Sequence, residues 1–399
     1  MSESSEVLPA RYASLDIWRG IACLSVIVFH ATGFRPAGND SLIWWFTERL
    51  SLGVPLFFII SGYCIAASAD ATVRARAPVR DYFVKRVRRI FPPYWAMLAS
   101  FALLLWTAES LDAGHLFGGH HGLLGAPSLS SLSAAQWIGT ITLTEGWLPR
   151  FASGGHSGWL MEHAWTLGYE EQFYIVTGLL ILVLGRRWML GAAAVTVGVA
   201  TCASVPPDLI AGWFLDGHWV LFAAGVGVFF HVKHAAGETR LVLPVACLTV
   251  LLFSVQHPTI GRPELRLPLE LLIASVFGFL LAVLHRWDDR VMAMSVVQPL
   301  RWCGVRSYSI YLMHWPLSNL AANLTDANGS DSILWLLGTT VPLALALSIG
   351  VAAVFYDTVE RRFVRAAPGA PTRARRKAFS TTGDHFAFDR GGATLVRLR

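Results

Sequence analysis

Residues 14–30 read Ser14-Leu15-Asp16-Ile17-Trp18-Arg19-Gly20-Ile21-Ala22-Cys23-Leu24-Ser25-Val26-Ile27-Val28-Phe29-His30. The run is apolar enough to cross a bilayer, yet it carries Asp16 and Arg19 at one end and His30 further along. Read as a helix, the step from Arg19 to His30 is about 16 Å and about three full turns. The two side chains therefore share one face at different depths. Ionisable groups on one face of a membrane helix mark a functional site.

The rest of the chain agrees with a membrane reading. It has 399 residues, of which 54% are hydrophobic and 15% charged, whereas soluble domains carry about a quarter charged residues. Several apolar segments reach the ~20 residues that span a hydrocarbon core. The expected fold is an all-α polytopic membrane protein, a bundle of about ten transmembrane helices. Their windows fall near 15–34, 43–69, 91–108, 165–185, 188–204, 217–232, 239–256, 268–285, 304–323 and 332–357. Residues 1–14 read as a polar cytoplasmic leader before a retained helix rather than a cleaved signal, because no small-residue cleavage pattern follows. The five cysteines stand singly in apolar segments and read as small buried hydrophobes.

The net charge of +6 belongs to topology rather than to a nucleic-acid partner. With the amino terminus in the cytoplasm, only Arg35, Arg49, Arg150, Arg262 and Arg266 of the 32 lysines and arginines fall on the outer side. That is the positive-inside pattern, and it places both termini in the cytoplasm and the chain in the cytoplasmic membrane. Residues 15–360 form the membrane domain, with a long outer connection at 109–163. Within it Trp137 to Leu143 is an apolar patch expected as a re-entrant or surface helix. Residues 361–399 form a basic tail expected to be disordered beside anionic headgroups. The loop histidines His115, His120, His121 and His156 match no common ligand spacing, so no metal is expected.

Four more clusters depart from what lipid-facing helices need. Phe57-Phe58-Ile59-Ile60-Ser61-Gly62 has small residues that let helices approach closely; packing is its commoner role. Lys85-Arg86-Val87-Arg88-Arg89 puts Arg86 and Arg89 at i, i+3, where two guanidinium forks can clamp phosphates. A positive-inside anchor is the alternative. Trp165 to Tyr174 contains Glu170 and Glu171, which point ~100° apart on a helix, so one faces the interior. A carboxylate there can orient His30. Ser307-Tyr308-Ser309-Ile310-Tyr311-Leu312-Met313-His314-Trp315-Pro316 places His314 at mid-depth, as a structural or a catalytic group.

Together these residues resemble the integral-membrane acyltransferase 3 family from about Leu15 to Phe363. Arg19 and His30 meet its Arg-x10-His motif, and Phe57, Phe58, Ser61 and Gly62 its aromatic and Ser-Gly motif. Arg86 and Arg89, followed by Ile90, Pro92 and Trp95, meet its basic motif. Trp165, Glu170, Glu171, Phe173 and Tyr174 meet its tandem-glutamate motif, and Ser307 to Pro316 the last. The resemblance implies O-acylation of a polysaccharide, a surface glycan or a small glycosylated metabolite. It implies an acyl-CoA donor, usually acetyl-CoA, with its phosphates on Arg86 and Arg89, helped by Lys85. Arg19, paired with Asp16, would lie along the pantetheine arm, and His30 would act as general base or acyl-transfer centre. Ser61, Trp165, Tyr174, Ser307, Tyr311 and His314 complete the candidate set. Some members of that family carry a soluble esterase-like domain after the last helix. With a basic tail there, this chain is expected to act alone or with envelope-biosynthesis partners. Two other readings stand beside a surface-glycan acceptor. One is a glycosylated metabolite such as a macrolide as acceptor. The other is a transporter, against which the lack of repeated hydropathy halves speaks. Trp137, Trp147 and Trp159 read as an interfacial belt or as sugar-stacking groups.

Overall fold

The computed structural model describes residues 12–36, 41–146, 159–202, 212–247, 266–326 and 332–365. Among them helices are the regular structure, and the sole bridge pairs His120 with Leu123 in a turn. The helices that build the site are α1 (Leu15–Thr32), α2 (Leu42–Arg49), α3 (Gly53–Arg74), α4 (Val79–Ser110), α5 (Ala134–Thr142) and α6 (Trp165–Leu184). They continue as α7 (Trp188–Thr201), α8 (Trp219–Lys233), α9 (Arg266–Leu284), α10 (Gln298–Val305), α11 (Ser307–Leu324) and α12 (Val341–Phe355).

Six helical stretches among the described residues are long and apolar enough to cross a membrane: Leu15–Thr32, Leu42–Arg74, Val79–Ser110, Glu162–Thr201, Leu271–Ala293 and Ile333–Val364. The protein is thus a multi-pass membrane protein. The α8 helix is shorter. The α11 helix is as long as α1 but carries Ser307, Ser309, His314, Ser318 and Asn319, all buried, on its inward face. The window 239–256 runs partly outside the described residues, as do Trp147, His156, the first eleven residues and the tail beyond 365. The third expected helix begins at Val79 rather than near 91, because its basic turns continue the helix beyond the apolar stretch. Pro92 and Pro93 sit inside it, and Ile90 O just before them accepts a bond from Tyr308 Oη at 2.8 Å.

Small residues set the close contacts. A Cβ on Gly304 of α10 would lie 1.5 Å from Asp16 O, and one on Gly20 of α1 would lie 2.0 Å from Leu300 O. The backbones of α1 and α10 therefore touch on both sides of Arg19. Gly62 of α3 and Gly225 of α8 do the same, against Phe222 O at 2.2 Å and Ile59 O at 2.0 Å. Glycine makes such approaches possible where any side chain would hold two helices apart.

The connection after α4 folds over one end of the bundle, here the loop end. His121 O accepts from Phe34 N at 2.9 Å. Asn319 and Asn323 of α11 donate to Leu124 O at 3.4 Å and Gly118 O at 2.9 Å. The α5 helix opens on a capping box between Ser133 and Gln136. It then runs back beside α4, where Thr140 O and Ile141 O accept from Tyr94 Oη (2.6 Å) and Trp95 Nε1 (3.0 Å). Those partners lie about 24 Å along α4 from its end at Ser110, by the helix rise. The patch expected as a re-entrant or surface helix is thus a helix that descends along the bundle wall. The opposite end carries Arg74 to Arg89 and is the basic end.

Candidate active site

The α1 helix delivers Arg19 and His30 to the same cavity, so the face read from their spacing is the inward face. Arg19 is fixed from two sides. Its Nη1 lies 3.3 Å from Asp16 Oδ1, one turn below, and its Nη2 lies 3.0 Å from Cys64 Sγ of α3. The cavity encloses about 120 Å³ and is lined at its basic end by Arg86, Arg89, Ser307 and Tyr174, and along its length by Ser61 and Glu170.

The basic residues divide by exposure. Arg86 is buried, with its guanidinium over the rings of Tyr82 (5.6 Å) and Tyr174 (5.0 Å). Its Nε is buried with no hydrogen-bond partner. Arg89 is an exposed residue that still lines the mouth, whereas Lys85 is exposed and lies outside the lining. Glu170 Oε1 accepts from Tyr174 Oη at 2.5 Å, so Glu170, Tyr174 and Arg86 form a chain from the middle of the cavity to its mouth. Three cations around a narrow passage, one with an orphaned buried donor, suit a ligand with phosphates at one end and a thin neutral arm.

At the far end of this cavity three imidazoles meet. The rings of His30 and His314 lie 5.0 Å apart, and those of His314 and His163 5.1 Å apart. His163 also stacks on Trp315 at 5.6 Å. His314 Nδ1 lies 2.6 Å from Tyr311 O. A carbonyl only accepts, so Nδ1 carries the proton and Nε2, buried with no partner, keeps its lone pair when the ring is neutral. Tyr311 Oη donates to His163 O at 2.5 Å and pairs with Thr166 Oγ1 at 2.7 Å, tying α11 to the start of α6. Among the described residues no group of three or more His, Cys, Asp or Glu side chains is arranged to hold a metal ion.

The ring neighbours of His30 are Phe29 and His314. The glutamate expected beside it stands elsewhere: Glu170 lies towards Arg19 and Tyr174, and Glu171 lies outside the lining. The physical reason is register. Glu170 is one turn from Tyr174, and that tyrosine belongs to the Arg86 end. His30 is held instead through its backbone, where His30 O accepts from His120 Nε2 at 2.8 Å. Burial lowers the His120 pKa to about 4, so this ring is neutral at ordinary pH. The interaction of a loop histidine with α1 had no signal in the sequence beyond an unassigned His120.

A second cavity of about 530 Å³ opens at the loop end, lined by Phe34, Ser51, Gly122, Leu124, Glu162, His218 and Trp315 among others. Val26, His30, Val54, Phe58, His163 and Trp165 line both cavities. The two spaces therefore meet at His30 and His163. Trp137 and Trp159 line neither.

The fold is thus that of a multi-pass helical membrane protein in which two cavities share His30 and His163. The chain belongs to the acyltransferase 3 family, whose acyltransferase domain matches residues 12–357. It is 28% identical over 380 residues to the provisionally named membrane-bound transacylase BcsY of Komagataeibacter xylinus, covering 92% of this chain and 86% of that one. It is 24% identical to the provisionally named peptidoglycan O-acetyltransferase YrhL of Bacillus subtilis (strain 168), covering 87% of this chain and 54% of that one. It is 20% identical to the peptidoglycan O-acetyltransferase OatA of Listeria monocytogenes serovar 1/2a, covering 82% and 53%. The chain thus spans about half the length of the last two. No solved structure matches it.

Proposed function

We propose that the protein is an O-acyltransferase that moves an acyl group, acetyl in the simplest case, from acyl-CoA to a hydroxyl of a saccharide or glycosylated acceptor. The observation that carries this reading is the meeting of two unlike cavities at His30. One is narrow and cationic, and the other is wider and aromatic. A transporter needs one site reached in turn from each side, whereas a transferase needs two substrates at one point.

In this reading both termini and the basic end face the cytoplasm, with about ten crossings. Residues 15–360 form the catalytic membrane domain, and 361–399 a basic tail at the inner surface. Arg86 and Arg89 bind the donor phosphates, Glu170 and Tyr174 brace Arg86, and Arg19 with Asp16 lines the pantetheine arm. Ser61, Thr166, Ser307 and Tyr311 shape the passage. His30 takes the proton from the acceptor hydroxyl as its oxygen attacks the thioester carbonyl. The C–S bond breaks, the thiolate of CoA takes that proton from the imidazolium, and the acceptor leaves as an ester. His314, beside His30, takes the place expected for a carboxylate. The names of two relatives point to peptidoglycan and that of a third to transacylation, which supports an envelope saccharide over a small metabolite.

His30→Ala is expected to abolish acyl transfer while leaving the protein in the membrane and its binding of coenzyme A within about twofold. The measure is label passed from [14C]acetyl-CoA to base-labile products in native membranes. Robust transfer by the variant would remove His30 from the chemistry.

A further inference from the structure

The loop-end cavity contains a group that the transfer mechanism does not use. His218, at the start of α8, lines it, and His218 Nδ1 lies 2.7 Å from Asp216 Oδ1. Asp216 is itself held on every side. Its other oxygen accepts from Tyr169 Oη and from Gly212 N (3.1 Å), and Oδ1 also accepts from His218 N at 3.3 Å. Burial alone would raise the Asp216 carboxyl, but the hydrogen bonds it accepts from His218 and Tyr169 outweigh it and hold the pKa below its ordinary value. Asp216 is thus a carboxylate that fixes both the position and the tautomer of the imidazole, with the proton on Nδ1. The ring is boxed by Phe58 (5.9 Å), Trp165 (5.6 Å) and Tyr169 (4.5 Å).

Around it the cavity has the make-up of a small-molecule site. Its volume of about 530 Å³ lies within the ~300–1,000 Å³ of such sites, which join apolar and aromatic walls to a few placed polar groups. Trp165, Trp315 and Phe34 supply broad apolar faces. Glu162, whose Oε2 is buried with no partner, and His163, only 4% exposed and with both ring nitrogens unpartnered, supply hydrogen-bonding atoms next to His30.

We infer that this cavity is the acceptor site, and that His218, positioned by Asp216, binds a hydroxyl of an acceptor sugar while another hydroxyl faces His30. The inference rests on the acyl-transfer reading above and adds to it the acceptor's place and chemistry: a ring with an apolar face and several hydroxyls. His218 binds substrate and Asp216 is a positioning residue. No bond is made or broken at either.

The test uses full-length protein. Coenzyme A binding is titrated on the purified chain in detergent, and transfer from [14C]acetyl-CoA to endogenous base-labile material is followed in native membranes. His218→Phe keeps the aromatic packing and removes the polar atoms. It is expected to lose transfer at least 20-fold with coenzyme A binding unchanged. His218→Gln keeps a hydrogen-bonding group and is expected to retain at least a fifth of the activity, a rescue that packing alone would not produce. Transfer by His218→Phe above half the wild-type rate overturns the inference, as does joint loss of transfer and coenzyme A binding. Failure of the wild-type chain to bind coenzyme A removes the acyl-CoA reading, and this inference with it.

Discussion

Arg86 shows how one residue's chemistry depends on what surrounds it. Its guanidinium lies over two tyrosine rings with Nε turned inward, and Glu170 fixes one of those rings through Tyr174 Oη. A lysine keeps the charge but has no flat face to stack, and its donors radiate from one nitrogen rather than forming a planar fork. Arg86→Lys is therefore expected to raise the coenzyme A dissociation constant about tenfold or more. That equals the ~1.5–3 kcal/mol of a hydrogen bond to a charged group. Lys85→Ala is expected to leave it within about twofold, since Lys85 is exposed and outside the cavity. Isothermal titration of both variants decides the matter, and equal losses would mean that a diffuse surface charge, not a built site, holds the donor. The i, i+3 pairing of Arg86 with Arg89 was legible in the sequence, because it is a property of one helix. That Lys85 faces away was not, since it depends on which side of α4 meets α6. His163 and His218 were illegible for the same reason. His163 meets Tyr311, His314 and Trp315, and the ring of His218 meets Phe58, Trp165 and Tyr169, all from segments far apart in the chain.

At the scale of elements, α1 is clamped along its length. Gly20 and Gly304 bring it into backbone contact with α10, Gly53 brings α3 to 2.6 Å from Ala22 O when given a Cβ, and the loop holds its far end. Hydropathy shows that α1 is long and apolar enough to cross the membrane, and the glycines show that it packs in close company. The course of the loop is another matter. The turn at His120–Leu123 places His120 against His30 O only because Phe34, Asn319 and Asn323 anchor it. This contact has a pH signature. His120 has a folded pKa of about 4, below its ordinary ~6.5. Below pH ~6.5 the unfolded chain takes up a proton that the folded chain refuses. The stability due to the neutral ring is full above ~6.5 and is lost as pH falls towards about 4, by at most about 3 kcal/mol. The melting temperature of the detergent-solubilised protein should thus fall between pH 7.5 and 5, and fall less in His120→Gln, whose amide does not titrate. An identical fall in both proteins would show that the acid sensitivity lies elsewhere.

For the whole molecule, the proposed transfer from acyl-CoA to a saccharide requires the two ends of the bundle to face different compartments. Donor phosphates cannot enter hydrocarbon, and the cations that suit them, Arg86 and Arg89, lie at one end with the other arginines of Arg74 to Arg89. The aromatic cavity opens at the other end, under the loop. Passing only the acyl group between two cavities that meet at His30 spares either substrate a full crossing. Orientation then becomes a prediction that activity alone does not test. A Leu124→Cys chain, altered at the rim of the loop-end cavity, should react with a membrane-impermeant maleimide added to intact cells, above the label taken by the wild-type chain. An Arg80→Cys chain, altered at an exposed residue of the basic end, should react only after the cells are made permeable. Modification of Leu124→Cys from outside should also stop acyl transfer while coenzyme A still binds, because it fills the acceptor side and leaves the donor passage open. Labelling of Arg80→Cys in intact cells would invert the chain in the membrane and place the cationic mouth where no acyl-CoA is made.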